Sequence, residues 1–247
     1  MSKYLTSDFT GGPFVLFSFP HIIVLAIILL IIVLTYKFRR RLLSIKKSTR
    51  IYIAVFLIVQ QFSLILWYIT YGGLPLKESL PLELCDISLI MCAVMFAAKS
   101  YPLYEIVYFW GMAGSIEALV TPDIGVYTFP HFIFFQFFLS HGSIIILCLF
   151  MTFVYGYRPS FKSLIKSVVA LNIYAGFIGI YDKLTGTNFM YLCEKTKNTS
   201  IMSYLGPWPW YLISLELVAI VSCALCLLPF VIKIKPKKDI DIPQQKF

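Results

Sequence analysis

Seven apolar runs, near residues 16–36, 51–71, 82–98, 103–120, 130–154, 163–184 and 210–232, leave this chain little choice of fold. As helices they match, or nearly match, a hydrocarbon core about 30 Å thick. None alternates apolar with polar residues as the wall of a membrane barrel does. The sequence therefore predicts an all-α, polytopic membrane protein: a bundle of seven transmembrane helices forming a single integral membrane domain over 1–247. The third and fourth runs are short, but Pro102 between them would interrupt one continuous helix. Only 13% of the residues are charged, about half the share usual in soluble domains. The first run is not preceded by a basic region nor followed by a small-residue cleavage site, so it reads as a retained span.

The net charge of +9, from 21 Lys and Arg against 12 Asp and Glu, would suggest nucleic acid in a soluble protein. Here its distribution decides. With the N-terminus outside and the C-terminus cytoplasmic, the inner segments collect the run from Lys37 to Arg50, then Lys99, then Arg158, Lys162 and Lys166, then a short basic tail over 233–247. The outer segments keep Lys3, Lys77, Lys183, Lys195 and Lys197. That asymmetry is a topology signal, and the basic loops suit anionic inner-leaflet lipids; no nucleic-acid partner is implied. Asn198 opens a glycosylation-type Asn-Thr-Ser pattern in an outer segment, which has no meaning in a bacterium. "GPWPWY", residues 206–211, reads as an aromatic anchor at the headgroup layer.

Six cysteines do not form a disulfide framework, because only Cys193 falls in a polar segment. Cys223 and Cys226 have redox-pair spacing, but two thiols in an apolar helix with no second pair do not make a zinc site. No metal or cofactor is expected. Polar groups within spans are functional candidates because they are costly there. Six stand out: Cys85, Asp86, Glu117, His141, Asn172 and Glu216. Pro81 is expected in the first turn of the third helix, with Cys85, Ser88 and Cys92 along one stripe. Phe134, Phe138 and His141 share another. If the fifth helix begins at Pro130, His141 lies at nearly the depth of Cys85. A Cys–His pair suits acyl chemistry: imidazole takes the thiol proton, and the thiolate attacks an ester carbonyl. His131 reads as an interfacial residue bonded to loop backbone, and His21 has no assigned chemistry. Glu117 is a candidate to orient an imidazole or hold water. Asn172, Gly176 and Gly179 form a small face that favours close helix packing over room for an acyl chain.

The motifs "LPLELCDIS", "YEIVYFWGMAGSIEALVTPD", "FPHFIFFQFFLSHG", "GTNFMYL" and "LGPWPWY" occur in this order over roughly residues 81–230. In them the chain resembles the YwaF-type integral membrane proteins, a family that includes animal transmembrane protein 164. The first 75 residues resemble that family only in having hydrophobic spans. The resemblance implies a multi-pass phospholipid acyltransferase with an essential cysteine and histidine, here Cys85 and His141. Asp86, Glu117, Asn172 and Glu216 would support the site or line the substrate cavity. Phospholipid and lysophospholipid would be the substrates. The Lys- and Ile-rich composition points to a bacterial plasma membrane. A transporter or lipid-binding protein using the same outward-facing polar cavity is the alternative.

Overall fold

The computed structural model describes residues 2–195 and 205–232. Among these it contains the α-helices α1 (Phe19–Lys37), α2 (Arg39–Leu42), α3 (Lys47–Thr70), α4 (Leu76–Ser79), α5 (Leu84–Ala98), α6 (Tyr101–Val120), α7 (Phe132–Tyr155), α8 (Phe161–Thr185) and α9 (Trp210–Val231). Five of them, α1, α3, α7, α8 and α9, are long and apolar enough to cross a membrane. At 15 residues α5 is shorter than a full crossing, and α6 carries Glu105 and Glu117. Large apolar side chains stay exposed along the outside, including Leu29, Phe177 and Leu225. Such a collar is stable in lipid and not in water. The chain is a multi-pass membrane-helix bundle, consistent with the plasma membrane. The basic tail 233–247 and Asn198 lie outside the described residues.

Helix ends follow local chemistry. Between α5 and α6 the chain turns at Lys99, which takes a left-handed conformation with φ 54°. The Ser100 side chain then accepts the Leu103 N–H, and Pro102 sits in the first turn of α6, where its missing N–H costs nothing. Helix α7 begins at Phe132 and not at Pro130, because the His131 ring caps it by accepting the Ile133 N–H at 3.1 Å. Likewise α5 begins at Leu84 behind Glu83, leaving Pro81 in the preceding loop and Cys85 in the first turn. The central helix is α6, packed against α5, α7, α8 and α9; α3 covers α5, and α1 covers α7. One end of the bundle, reached by the C-terminus of α1, carries α2, the start of α3, and the α5–α6 and α7–α8 connections. It is called the basic face below.

Candidate functional site

Three helices meet in a regular stack of layers. Helices α5 and α7 run parallel, since Cys92 meets Cys148 with sulfurs 3.8 Å apart and Phe96 meets Phe150 further along both. Helix α6 runs antiparallel to both. The Cys148 thiol donates to the Val107 carbonyl, and a Cβ on Gly111 would lie 2.4 Å from Ile144 Cγ2. By that register Gly114, three residues up α6, falls level with His141, three back along α7, although no His141 atom comes within 4 Å of a Cβ placed on Gly114. On the other flank, a Cβ on Gly114 would lie 3.7 Å from Cys85 Sγ. Cys85 and His141 are separated by the same 56 residues as Cys92 and Cys148, one heptad nearer the opposite end, where a helix face returns almost to register. Cys85, Gly114 and His141 thus occupy one layer, about 10.5 Å along the axis from the paired thiols. Ser88, Gly111 and Ile144 form the layer between. Two glycines on the central helix leave this seam its space.

The three histidines differ in what their rings hold. His21 accepts the Phe17 N–H at Nδ1 and donates from Nε2 to the Leu119 carbonyl at 2.8 Å. His131 caps α7 through Nδ1 and donates from Nε2 to the Thr6 carbonyl at 3.2 Å. Both rings are fully committed, as structural ties. His141 donates from Nδ1 to the Phe137 carbonyl one turn back, at 2.8 Å, and packs on the Phe137 ring. A carbonyl can only accept, so the proton is on Nδ1 and Nε2 presents a lone pair. No described residue bonds to that nitrogen, nor to the Cys85 thiol, and no hydrogen bond joins the two.

The other candidates divide. Asp86, Glu83 and Glu117 lie within electrostatic reach of Cys85, but Asp86 is turned to α3, where Gln61 Nε2 donates to its Oδ1 at 2.8 Å. Glu117 is exposed and makes no side-chain bond among the described residues; the His141 ring is oriented by its own helix. Asn172 donates to Glu216 Oε1 at 2.8 Å, tying α8 to α9 on the far flank of α6. Trp110 Nε1 bonds the Ser167 carbonyl, a register that brings Asn172 level with the Cys85 layer without joining it. The small face of α8 is not a tight packing seam: a Cβ on Gly176 would meet nothing within 4 Å.

Several residues went unremarked in the sequence. Gln60, Gln136 and Ser140 form a buried network next to His141, with Gln60 Nε2 donating to Ser140 Oγ at 2.9 Å; amides within the apolar runs "LIVQQFSLI" and "FIFFQFF" were the available signal. Glu83 Oε2 accepts the Met190 N–H at 3.0 Å, and Tyr174 donates to the Leu82 carbonyl. Tyr211 is wholly buried and donates to the Tyr191 carbonyl, while Trp208 bonds the Leu192 carbonyl. "LGPWPWY" is therefore more than an anchor. It closes the loop carrying "GTNFMYL" over the start of α5. A separate apolar groove of about 480 Å³ runs between α1 and α7, lined by Ile23, Ile27, Phe134, Phe138, Gly142 and Ile146 among others.

The model of the TMEM164 family matches residues 16–227. The chain belongs to that family. The match begins within the segment before α1, so the first helices of this TMEM164-family chain share more with the family than hydrophobicity. No curated protein and no solved structure matches the chain. Membership suggests a membrane-embedded protein that modifies lipids.

Proposed function

We propose that this protein is a lipid acyltransferase that moves a fatty acyl group between phospholipid and lysophospholipid through a thioester on Cys85, with His141 as general base and acid. What supports this reading is the state of the histidines: among the described residues only His141 keeps a ring nitrogen uncommitted, and the register read from Cys92 and Cys148 puts it at the depth of Cys85. A free thiol, with pKa about 8.5, is mostly protonated at neutral pH. His141 Nε2 would take the Cys85 proton as sulfur bonds the ester carbonyl carbon. The carbon–oxygen bond then breaks, and the imidazolium returns its proton to the departing lysophospholipid alkoxide. The second half reverses these steps: Nε2 removes the proton of the acceptor hydroxyl, its oxygen bonds the thioester carbon, and the thiolate leaves and is reprotonated. Asp86, Glu117, Asn172 and Glu216 are assigned supporting places around this path, Asp86 and Glu117 within electrostatic reach of the thiol. No metal or cofactor enters the reaction.

The same proposal takes the chain as one integral membrane domain with all seven long helices crossing, the N-terminus outside and the basic face cytoplasmic, so that Cys85 lies in the outer half. Engineered cysteines at the exposed positions 44 and 46, between α2 and α3, should resist an impermeant thiol reagent in intact cells, and one at 123 should react. The reverse pattern moves the site to the other leaflet.

The decisive experiment is chemical. Purified protein incubated with labelled phospholipid should acquire label that neutral hydroxylamine removes, and added lysophospholipid should discharge it. Cys85→Ala should abolish the label, and His141→Ala should slow its appearance. Label that persists in Cys85→Ala, or that maps to Cys92 or Cys193, refutes the nucleophile. No label across a broad panel of donors returns the transporter reading.

A further inference from the structure

The basic face holds an arginine that acyl transfer does not use. Arg50, in the first turns of α3, is only 7% exposed. Its Nε and Nη1 are fully buried and have no hydrogen-bond partner among the described residues. The Tyr155 hydroxyl on α7 is buried beside this guanidinium, close enough to interact with it, and has no other hydrogen-bond partner among the described residues. Lys99 extends its ammonium over the Tyr155 ring, 4.3 Å from the centroid, and Arg50 is near enough to help hold that ammonium's pKa below its usual value, after the larger effect of burial.

A buried cation, an exposed one and a hydroxyl thus gather with no counter-charge among the described residues. A buried charge is stable only when paired. On this face the one described carboxylate is Glu105, already engaged by Lys166 at 2.7 Å and by Ser163 at 2.8 Å. Helix α3 compounds the deficit. It starts with Lys46, Lys47 and Arg50 at its positive end, has no acidic residue in its first turn and no side-chain cap. An anion with several acceptor oxygens would satisfy these groups.

We propose that Arg50, Tyr155 and Lys99 form a binding site for a phosphate group at the basic face, supplied by the headgroup of an anionic phospholipid. The guanidinium fork matches two phosphate oxygens, the Tyr155 hydroxyl donates to a third, and Lys99 adds charge. The free N–H groups at the start of α3 point to the same region. A lipid is favoured over free phosphate because the lipid-facing surface begins beside the site: Ile51, Tyr52 and Val55 are 41%, 74% and 51% exposed. Acyl chains would cover them.

The test uses the purified full-length protein in neutral detergent, in a Cys85→Ala background so that turnover plays no part. Its thermal midpoint is followed while dioctanoyl phosphatidylglycerol, dioctanoyl phosphatidylcholine or inorganic phosphate is added at matched ionic strength. Phosphatidylglycerol should raise the midpoint saturably and phosphatidylcholine should not. Arg50→Gln should weaken that response about ten-fold or more, yet unfold no earlier than the parent without lipid, since it removes an uncompensated charge. A merely structural arginine would do the opposite. Tyr155→Phe and Lys99→Gln, which keep the packing, should each weaken the response several-fold and so test the site even if Arg50→Gln does not fold. Equal responses in parent and variants, or no anion-dependent shift, overturn the site. Saturation by inorganic phosphate at the same concentrations as lipid overturns the headgroup as its source.

Discussion

Gly111→Ala tests the register on which the Cys85 layer depends. A Cβ at 111 would lie 2.4 Å from Cγ2 of Ile144, which has no exposed surface. Carbon atoms settle about 3.5–4.0 Å apart, so Ile144 or the α6–α7 spacing must yield by more than about 1 Å. Overpacking of this kind costs about 1–3 kcal/mol. Ile144→Ala alone leaves a cavity and should cost about 2–5 kcal/mol. In the double variant the new methyl group moves into that cavity, so the two losses should fall short of additivity by about 1 kcal/mol or more. Reversible unfolding of purified protein in mixed micelles, followed by tryptophan fluorescence, gives the cycle. Additive losses, or a neutral Gly111→Ala, would mean that residues 111 and 144 do not oppose each other. The step from there to Gly114 and His141 would fail with them.

Gly114→Ala should behave differently, because its methyl group meets Cys85 Sγ at an ordinary 3.7 Å: stability is retained, while thioester formation slows roughly ten-fold as the reacting carbonyl loses room. A midpoint several degrees lower with unchanged labelling would contradict this. His131→Ala removes the α7 cap and should cost about 0.5–2 kcal/mol, with thioester formation by the folded protein unaltered; His141→Ala should show the reverse, and loss of labelling in both would undo the division between structural and reactive histidines. Glu117→Gln should change the rate of labelling by less than about three-fold, because the Phe137 carbonyl and not Glu117 orients the imidazole. A larger loss at unchanged lipid binding would make Glu117 a positioning residue.

The all-α class was legible because unbroken apolar runs admit no other membrane fold, and Cys85 and His141 were legible as candidates because a thiol and an imidazole interrupt apolar surfaces. Their relation was not. It depends on which faces of α5 and α7 meet, and one contact, Cys92 with Cys148, fixes that register for every layer. The sequence favoured His141, left His131 as an interfacial residue and gave His21 no chemistry; the distant carbonyls of Leu119 and Thr6 supply the physical reason, since both of those rings are spent on them. The sequence put Asn172 and Glu216 at the depth of the same cavity, because depth can be counted along a chain; the flank of α6 on which a residue falls cannot be counted that way.

Arg50 shows the same limit at the other end of the molecule. Counted by hydropathy, the second span opens at Ile51, which leaves Arg50 in a loop as one more topological charge. Helix α3 instead starts at Lys47, and its buried stripe reads Arg50, Ala54, Leu57, Gln61 and Leu64, spaced as one helix face requires. Four residues of helix beyond the apolar run turn a solvated cation into a buried one. The boundary between loop and helix therefore decides whether the charge needs only water or needs a ligand, and the absence of any described acid beside it favours the ligand.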